Sequence, residues 1–554
     1  MKPVAIPAGP PGAGLASKLL ANSALMGLAR AGGVGIQVVS IPVIVTRLGL
    51  ELYGVAEALL AIAAMAMVLQ AVISGAVLWR ASLSFGARDP AETRRLVRIG
   101  IGATLALMAL CLPIVGSFRG IVVAELRVPA PYQAEAQWLL PAFVGLVLLG
   151  GINEALAAVL IAYQRAGTAS LIQSGGLAAT NLVSIGGLLL GGGLESLLFG
   201  SLAGFATTFI VLYVFASALC GRISLLPLLP SRRDVAVIGP FFGLLLVSNL
   251  TLLVRENTDK VVLAMLGSAT AVAHFSIAQR LSAIVMQVCA VCFTPFTSVV
   301  GALHARADQQ GIQVLYAKVG TWMAALTGLS AFLVCTLREP LFILWLGNPY
   351  EGAWLFLLAL VLGCASAIIF TGTGVALARG IGRAGLETRY ALVTLVLTVL
   401  LKPVFILALG AVGAVAASAG SWCVGALFFL HLIHRAIDLP RGMVSRLIGI
   451  WVTTLVLVTL GWWVTQHCVF PSNRAGAAAV LMVWVVPLSL GYLGVLAGCG
   501  LIPYDELRNA GKHLGLFPRS RSAREDSGPS AGNRFLTTAS GESSLMSGSV
   551  DTIP

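Results

Sequence analysis

Arg30, Glu57, Glu154, Arg255, Glu256, Asp259, Lys260, Arg280 and Lys402 all interrupt long apolar runs of the chain. An ionised side chain in hydrocarbon costs a few kcal/mol or more, so each must face protein or water and find a partner. Two kinds of chemistry follow. The cations Arg30, Arg255, Arg280, Lys260 and Lys402 could line a wet cavity and meet an anionic substrate. Arginine suits phosphate best, because its guanidinium is a planar fork of donors, and this makes Arg30 and Arg255 the leading candidates. The carboxylates Glu57, Glu154, Glu256 and Asp259 could hold a coupling proton or sodium ion. Ion pairing that only glues helices together is the competing role for every one of them.

Helix geometry restricts the densest group. Arg255 with Asp259, and Glu256 with Lys260, are spaced i,i+4 and share a helix face. Measured from the turn at Gly267–Ser268, Asp259 lies about 13 Å and Arg280 about 18 Å down their helices. An Arg280–Glu256 or Arg280–Asp259 pair between these helices is compatible with those depths. Glu57 lies about 10 Å below its own turn, which also suits an interfacial carboxylate. Gln70, Gln173, Asn181, Asn249, Gln279 and Gln287 add polar groups at membrane depth, where interhelical hydrogen bonding is their commoner role.

The elements that must position these groups are transmembrane helices. The chain has 554 residues, of which 58% are hydrophobic and 10% charged, with mean hydropathy +0.95. A soluble domain carries about 25% charged residues, so this chain could not cover a water-facing surface. Its apolar runs last roughly 20 residues, as a helix crossing hydrocarbon requires; barrel strands would alternate over about ten. About fourteen spans are predicted, near 19–46, 53–78, 98–118, 136–162, 169–190, 195–220, 236–266, 270–300, 314–337, 353–378, 388–409, 412–433, 447–469 and 476–500. With the N-terminus inside, the inner segments hold 25 of the Lys and Arg residues and the outer loops five: Arg47, Arg119, Arg127, Arg338 and Arg474. That asymmetry places both termini in the cytoplasm, in a multi-pass protein of the cytoplasmic (inner) membrane. Asp89-Pro90-Ala91-Glu92 reads as a helix start, with Asp89 as the cap.

The net charge of +13 is explained by basic inner loops and does not require nucleic acid. Cys289 and Cys292 form a CxxC inside an apolar helix without a second ligand pair, so neither metal nor redox chemistry is expected. No cofactor is implied: the nucleotide-binding pattern G-x-x-x-x-G-K-[ST] is absent from the chain. No catalytic constellation stands out and no outer loop is domain-sized, which argues against a membrane glycosyltransferase or polymerase. The expected organisation is an N-terminal cytoplasmic segment 1–18, a six-helix lobe 19–220, a second 231–434, helices 13–14 at 447–500, and a disordered cytoplasmic tail 505–554. The turns Thr46-Arg47-Leu48-Gly49-Leu50-Glu51-Leu52-Tyr53-Gly54 and Met265-Leu266-Gly267-Ser268 to His274-Phe275 each join two long helices on the outer side. They suggest a parallel repeat.

The first of these turns, extended back to Pro42, resembles the first outer hairpin of bacterial polysaccharide and O-antigen flippases. Asn257-Thr258-Asp259-Lys260-Val261-Val262-Leu263, then Leu266-Gly267, then Phe275-Ser276-Ile277-Ala278-Gln279-Arg280-Leu281, resembles their helix 7–8 signature. Leu344-Trp345-Leu346-Gly347 and Gly410-Ala411-Val412-Gly413-Ala414-Val415-Ala416 look like later landmarks of the family. The likeness covers roughly residues 20–435, and Phe275 stands where the family often has tyrosine. It implies a member of the multidrug/oligosaccharidyl-lipid/polysaccharide exporter superfamily: an all-α membrane protein with two parallel six-helix lobes in a V shape plus two C-terminal helices. It also implies a polyprenyl-pyrophosphate-linked oligosaccharide as substrate, flipped from the inner to the outer leaflet by alternating access. Its partners would be the lipid-linked oligosaccharide, membrane lipid and a polysaccharide polymerase or glycosyltransferase. A drug or cation antiporter of the same superfamily is the alternative, with Glu154 or Asp259 central to transport.

Overall fold

The computed structural model describes residues 13–231, 257–305, 307–383, 385–437, 439–440 and 442–502. The side chains of Arg30, Gln287, Cys289 and Cys292 lie outside the description, as do residues Asn249, Arg255 and Glu256 and the segment 505–554. The described chain is helical, with no strand among the described residues.

The first set of helices comprises α1 (Ala13–Leu48), α2 (Leu50–Met65), α3 (Met67–Gly86), α4 (Pro90–Glu125), α5 (Gln133–Ala162), α6 (Ala166–Leu189) and α7 (Glu195–Cys220). The second comprises α8 (257–266), α9 (Ala269–Ala305), α10 (Gln309–Thr336), α11 (Arg338–Leu346), α12 (Trp354–Gly380), α13 (Gly385–Leu409) and α14 (Ala411–Ala436). Two more follow, α15 (Gly442–Gln466) and α16 (Arg474–Gly498). Ten of the described helices are long and apolar enough to cross a membrane. The pair α2–α3, bent by 46°, makes an eleventh if taken as one span. The bend passes through a tight turn in which the Ala66 N–H donates to the Ala63 carbonyl at 3.1 Å. Counting α2–α3 as one span and setting aside the nine-residue α11, each predicted span has its helix or, for the seventh, the described part of one.

The two sets repeat one packing pattern. In the first, α5 packs on α2–α3, α4 and α7, and α6 packs on α7. In the second, α12 packs on α9, α10 and α14, and α13 packs on α14. The parallel repeat legible in the two outer turns is therefore a repeat of contacts, and the fold is two six-helix lobes with a C-terminal pair. Helix α6 is rich in Gly, Ser and Thr, and this is what lets it approach α7. A Cβ at Gly176 would run into the Thr208 hydroxyl, and one at Gly204 into that of Thr180. In lipid, where hydrophobic exclusion does not drive helices together, such close approach is a main source of association.

Local signals set several ends. The Asp89 carboxylate accepts from the Ala91 and Glu92 N–H groups, both at 3.0 Å, and Pro90 opens α4 as expected. The connection after α7 is pinned to α4: Arg94 donates to the Cys220 carbonyl and Arg98 to that of Leu226, while the Leu228 N–H donates to the Arg98 carbonyl at 3.0 Å. The pair α15–α16 is fixed to the second lobe. The Tyr492 ring of α16 stacks on Phe332 of α10 with ring centres 5.7 Å apart, and Trp451 of α15 donates to Ser366 of α12 at 2.7 Å.

Candidate functional site

The two lobes meet where α2 passes the start of α9. A Cβ at Gly54 would collide with the Ala269 carbonyl, so only a glycine lets the two backbones touch here. One helical turn further along α2 stands Glu57, buried at 5% exposure. It accepts from Tyr53 at 2.9 Å and from Lys260 of α8 at 2.6 Å, and lies 3.5 Å from the Arg280 guanidinium of α9. Arg280 also donates to Gln37 of α1 at 2.9 Å. These five side chains form one network across the lobe boundary. Glu57 is thus a buried carboxylate shared by two cations, not an interfacial one.

A second pair lies within the second lobe. Lys402 of α13 sits 3.0 Å from Asp259, which also accepts from Ser418 of α14 at 2.9 Å. Asp259 is fully buried. The depths that allowed an Arg280–Asp259 pair do not decide helix rotation. Asp259 turns toward α13–α14 while its neighbour Lys260 turns toward the first lobe, as residues about 100° apart on a helix must. Arg30 is on α1 and its side chain lies outside the description, together with Arg255 and Glu256.

Charge does not cancel. Glu57 and Asp259 face Lys260, Arg280 and Lys402, so the described cluster carries one cation in excess. Arg280 is the most exposed of these at 36% for its side chain, and its Nε has no hydrogen-bond partner among the described residues. It borders two cavities. One, of about 850 Å³, runs along α1 from Ala29 to Thr46 between α6, α9 and α11, with mostly apolar walls. The other, of about 400 Å³, lies against α8, α9, α12 and α14 and is lined by Asn257, Lys260, Gln279, Ser282 and Trp422 among others. Gln37, Arg280 and Ala283 belong to both.

Glu154 stands apart. It accepts from the Gln173 amide of α6 at 3.0 Å, and it is exposed although it lies in mid-helix. No group of three metal-ligating side chains occurs among the described residues.

Two features escaped the sequence. Pro42 has no N–H, which leaves the Val38 carbonyl without its helical partner. The Trp345 indole of α11 donates to that carbonyl at 2.7 Å, a further bond between the lobes. A proline four residues after a carbonyl was a readable signal; the indole that answers it 307 positions later was not. Arg338, counted by loop parity as an outer-loop cation, is in fact buried at 1% exposure. Its guanidinium lies 4.5 Å from the Trp354 ring centre and 3.8 Å from that of Trp462, and donates to Thr465 at 2.7 Å. This clamp ties α11 and α12 to α15.

No protein-family model and no curated protein matches the chain. Solved structures do. The chain is similar to the lipid II flippase MurJ in an inward closed conformation, with TM-score 0.66 and 12% identity over 86% of this chain and all of that one. An inward-facing multidrug-resistance MATE family transporter of the MOP superfamily is similar with TM-score 0.56 and 17% identity over 74% of this chain and 94% of its own. A point mutant of the Vibrio cholerae MATE transporter VcmN has TM-score 0.55 and 14% identity over 76% of this chain and 97% of its own. What is shared at such identities is the fold.

Proposed function

We propose that this chain is a flippase that carries a polyprenyl-pyrophosphate-linked oligosaccharide from the inner to the outer leaflet of the cytoplasmic membrane. It would serve the synthesis of a cell-surface or exported polysaccharide, such as O-antigen or exopolysaccharide. The observation that carries this reading is Arg280: the most exposed cation of a cluster with one positive charge in excess, at the junction of a small pocket bordered by carboxamides and a long, mostly apolar cavity. A pyrophosphate-sugar head cannot enter hydrocarbon alone, so it needs a wet cationic path while its prenyl chain stays in lipid. Transport would proceed by alternating access, with the lobes rocking about the site. The contacts Gly54–Ala269, Glu57–Lys260 and Trp345–Val38 then hold one end shut and must separate in each cycle. By basic-residue parity that end faces outward and both termini lie in the cytoplasm. A polymerase or glycosyltransferase would act before or after this step, and Lys402–Asp259 would hold the second lobe together.

The MATE transporters are matched almost whole yet cover only about three quarters of this chain, whereas the flippase MurJ covers 86%. This favours the flippase reading. Glu154 favours a second one. A carboxylate in mid-helix with an amide partner is what a proton- or cation-coupled drug antiporter requires. The test is deletion of the gene in its host followed by analysis of lipid-linked intermediates. A complete repeat unit accumulating toward the cytoplasm supports flipping. An unchanged pool, together with lost drug efflux that Glu154→Gln fails to restore, would establish the antiporter instead.

A further inference from the structure

The 400 Å³ pocket has a composition that the two-lobe closure does not call for. Asn257, Gln279 and Ser282 line it beside Lys260 and Arg280, and Trp422 lies on the facing helix α14. Gly363 is the reason that indole fits, since a Cβ there would come within 2.9 Å of the Trp422 ring. The volume equals roughly a dozen waters at about 30 Å³ each, room for one or two sugar rings. Carboxamides present donors and an acceptor on one short side chain, which matches the alternating donors and acceptors of neighbouring hydroxyls. An indole offers a flat apolar face with a polar edge, suited to the C–H face of a pyranose. The cations stand at one side of the pocket only, where Arg280 adjoins the longer cavity.

We infer that this pocket is a saccharide subsite in the second lobe. It takes the sugar attached to the phosphate, with the phosphate at Lys260 and Arg280 and the ring between the Trp422 indole and the amides of Asn257 and Gln279. The inference rests on the flippase reading and adds to it the part of the substrate that is selected. Sugar identity is then read by the second lobe, while the cations at the boundary recognise the phosphate that all such lipids share.

The experiment uses the full chain in nanodiscs and two probes: farnesyl diphosphate, and the same diphosphate carrying one hexose. Wild type is expected to bind the glycosylated probe about tenfold more tightly, a difference of the size one well-fitted pocket can supply. Ala367→Trp fills the pocket from α12, and Trp422→Leu removes the platform. Both are expected to abolish that preference while leaving farnesyl diphosphate within about twofold of wild type. Size-exclusion elution and thermal unfolding identify a misfolded variant, and the other then decides. Equal loss of both probes, or a preference that survives the substitutions, overturns the saccharide subsite with the flippase reading intact. If wild type binds neither probe, the flippase reading falls, and the subsite with it.

Discussion

At the scale of single residues, the fate of each buried charge depends on what remains when its partner is removed. Lys402→Met would leave Asp259 fully buried beside a lone hydroxyl, at a cost of about 3–5 kcal/mol. Thermal unfolding in detergent is expected to show a large fall for Lys402→Met and recovery of most of it in the double variant Asp259→Asn/Lys402→Met. Equal unfolding temperatures for wild type and the single variant would contradict the pairing. Arg280→Lys keeps the charge but loses the fork that bonds Gln37 while facing Glu57. We expect export to drop about tenfold with protein levels unchanged, read from surface polysaccharide. That these residues need partners was legible in the chain, because charge within apolar runs is conspicuous. Their partners were not. Glu57 and Lys260 are 203 positions apart, and no local spacing announces that they touch.

Helices were easier to read than contacts between them. Long apolar runs, the Asp89-Pro90 start and the two similar outer turns were all local signals, and each had its counterpart in the fold. The break at Ala66 carries neither proline nor glycine and went unseen. Arg338 misled loop counting for a related reason: parity treats every basic residue near a helix end as wet, whereas two tryptophans and a threonine can bury one. At this scale the clearest expectation concerns α2 and α9. Gly54→Leu puts a side chain where backbone meets backbone, and should wedge the lobes apart. Spin labels at the exposed positions Glu51 and Ser268 would show this as a longer distance, populated without substrate. An unaltered distance distribution would mean that the contact does not hold the lobes together.

For the molecule as a whole, two lobes that repeat the same internal contacts, and whose described helices meet mainly through α2 and α9, have the layout that the proposed rocking would use. The C-terminal pair goes with the second lobe, since Arg338–Thr465, Phe332–Tyr492 and Ser366–Trp451 all tie it there. Labels at Asn348 and Ser472, both exposed, should therefore keep one distance while the Glu51–Ser268 distance changes on adding a lipid-linked saccharide. Independent change at Asn348–Ser472 would show that α15–α16 move on their own. Pro42 has one further consequence for this rocking. When α11 withdraws, the Val38 carbonyl loses its indole donor and cannot recover a helical one, because Pro42 has no N–H to offer. Water is the replacement at hand, so separation of the lobes is tied to wetting of the crevice. Osmolytes too large to enter should slow the opening in proportion to the osmotic pressure they exert.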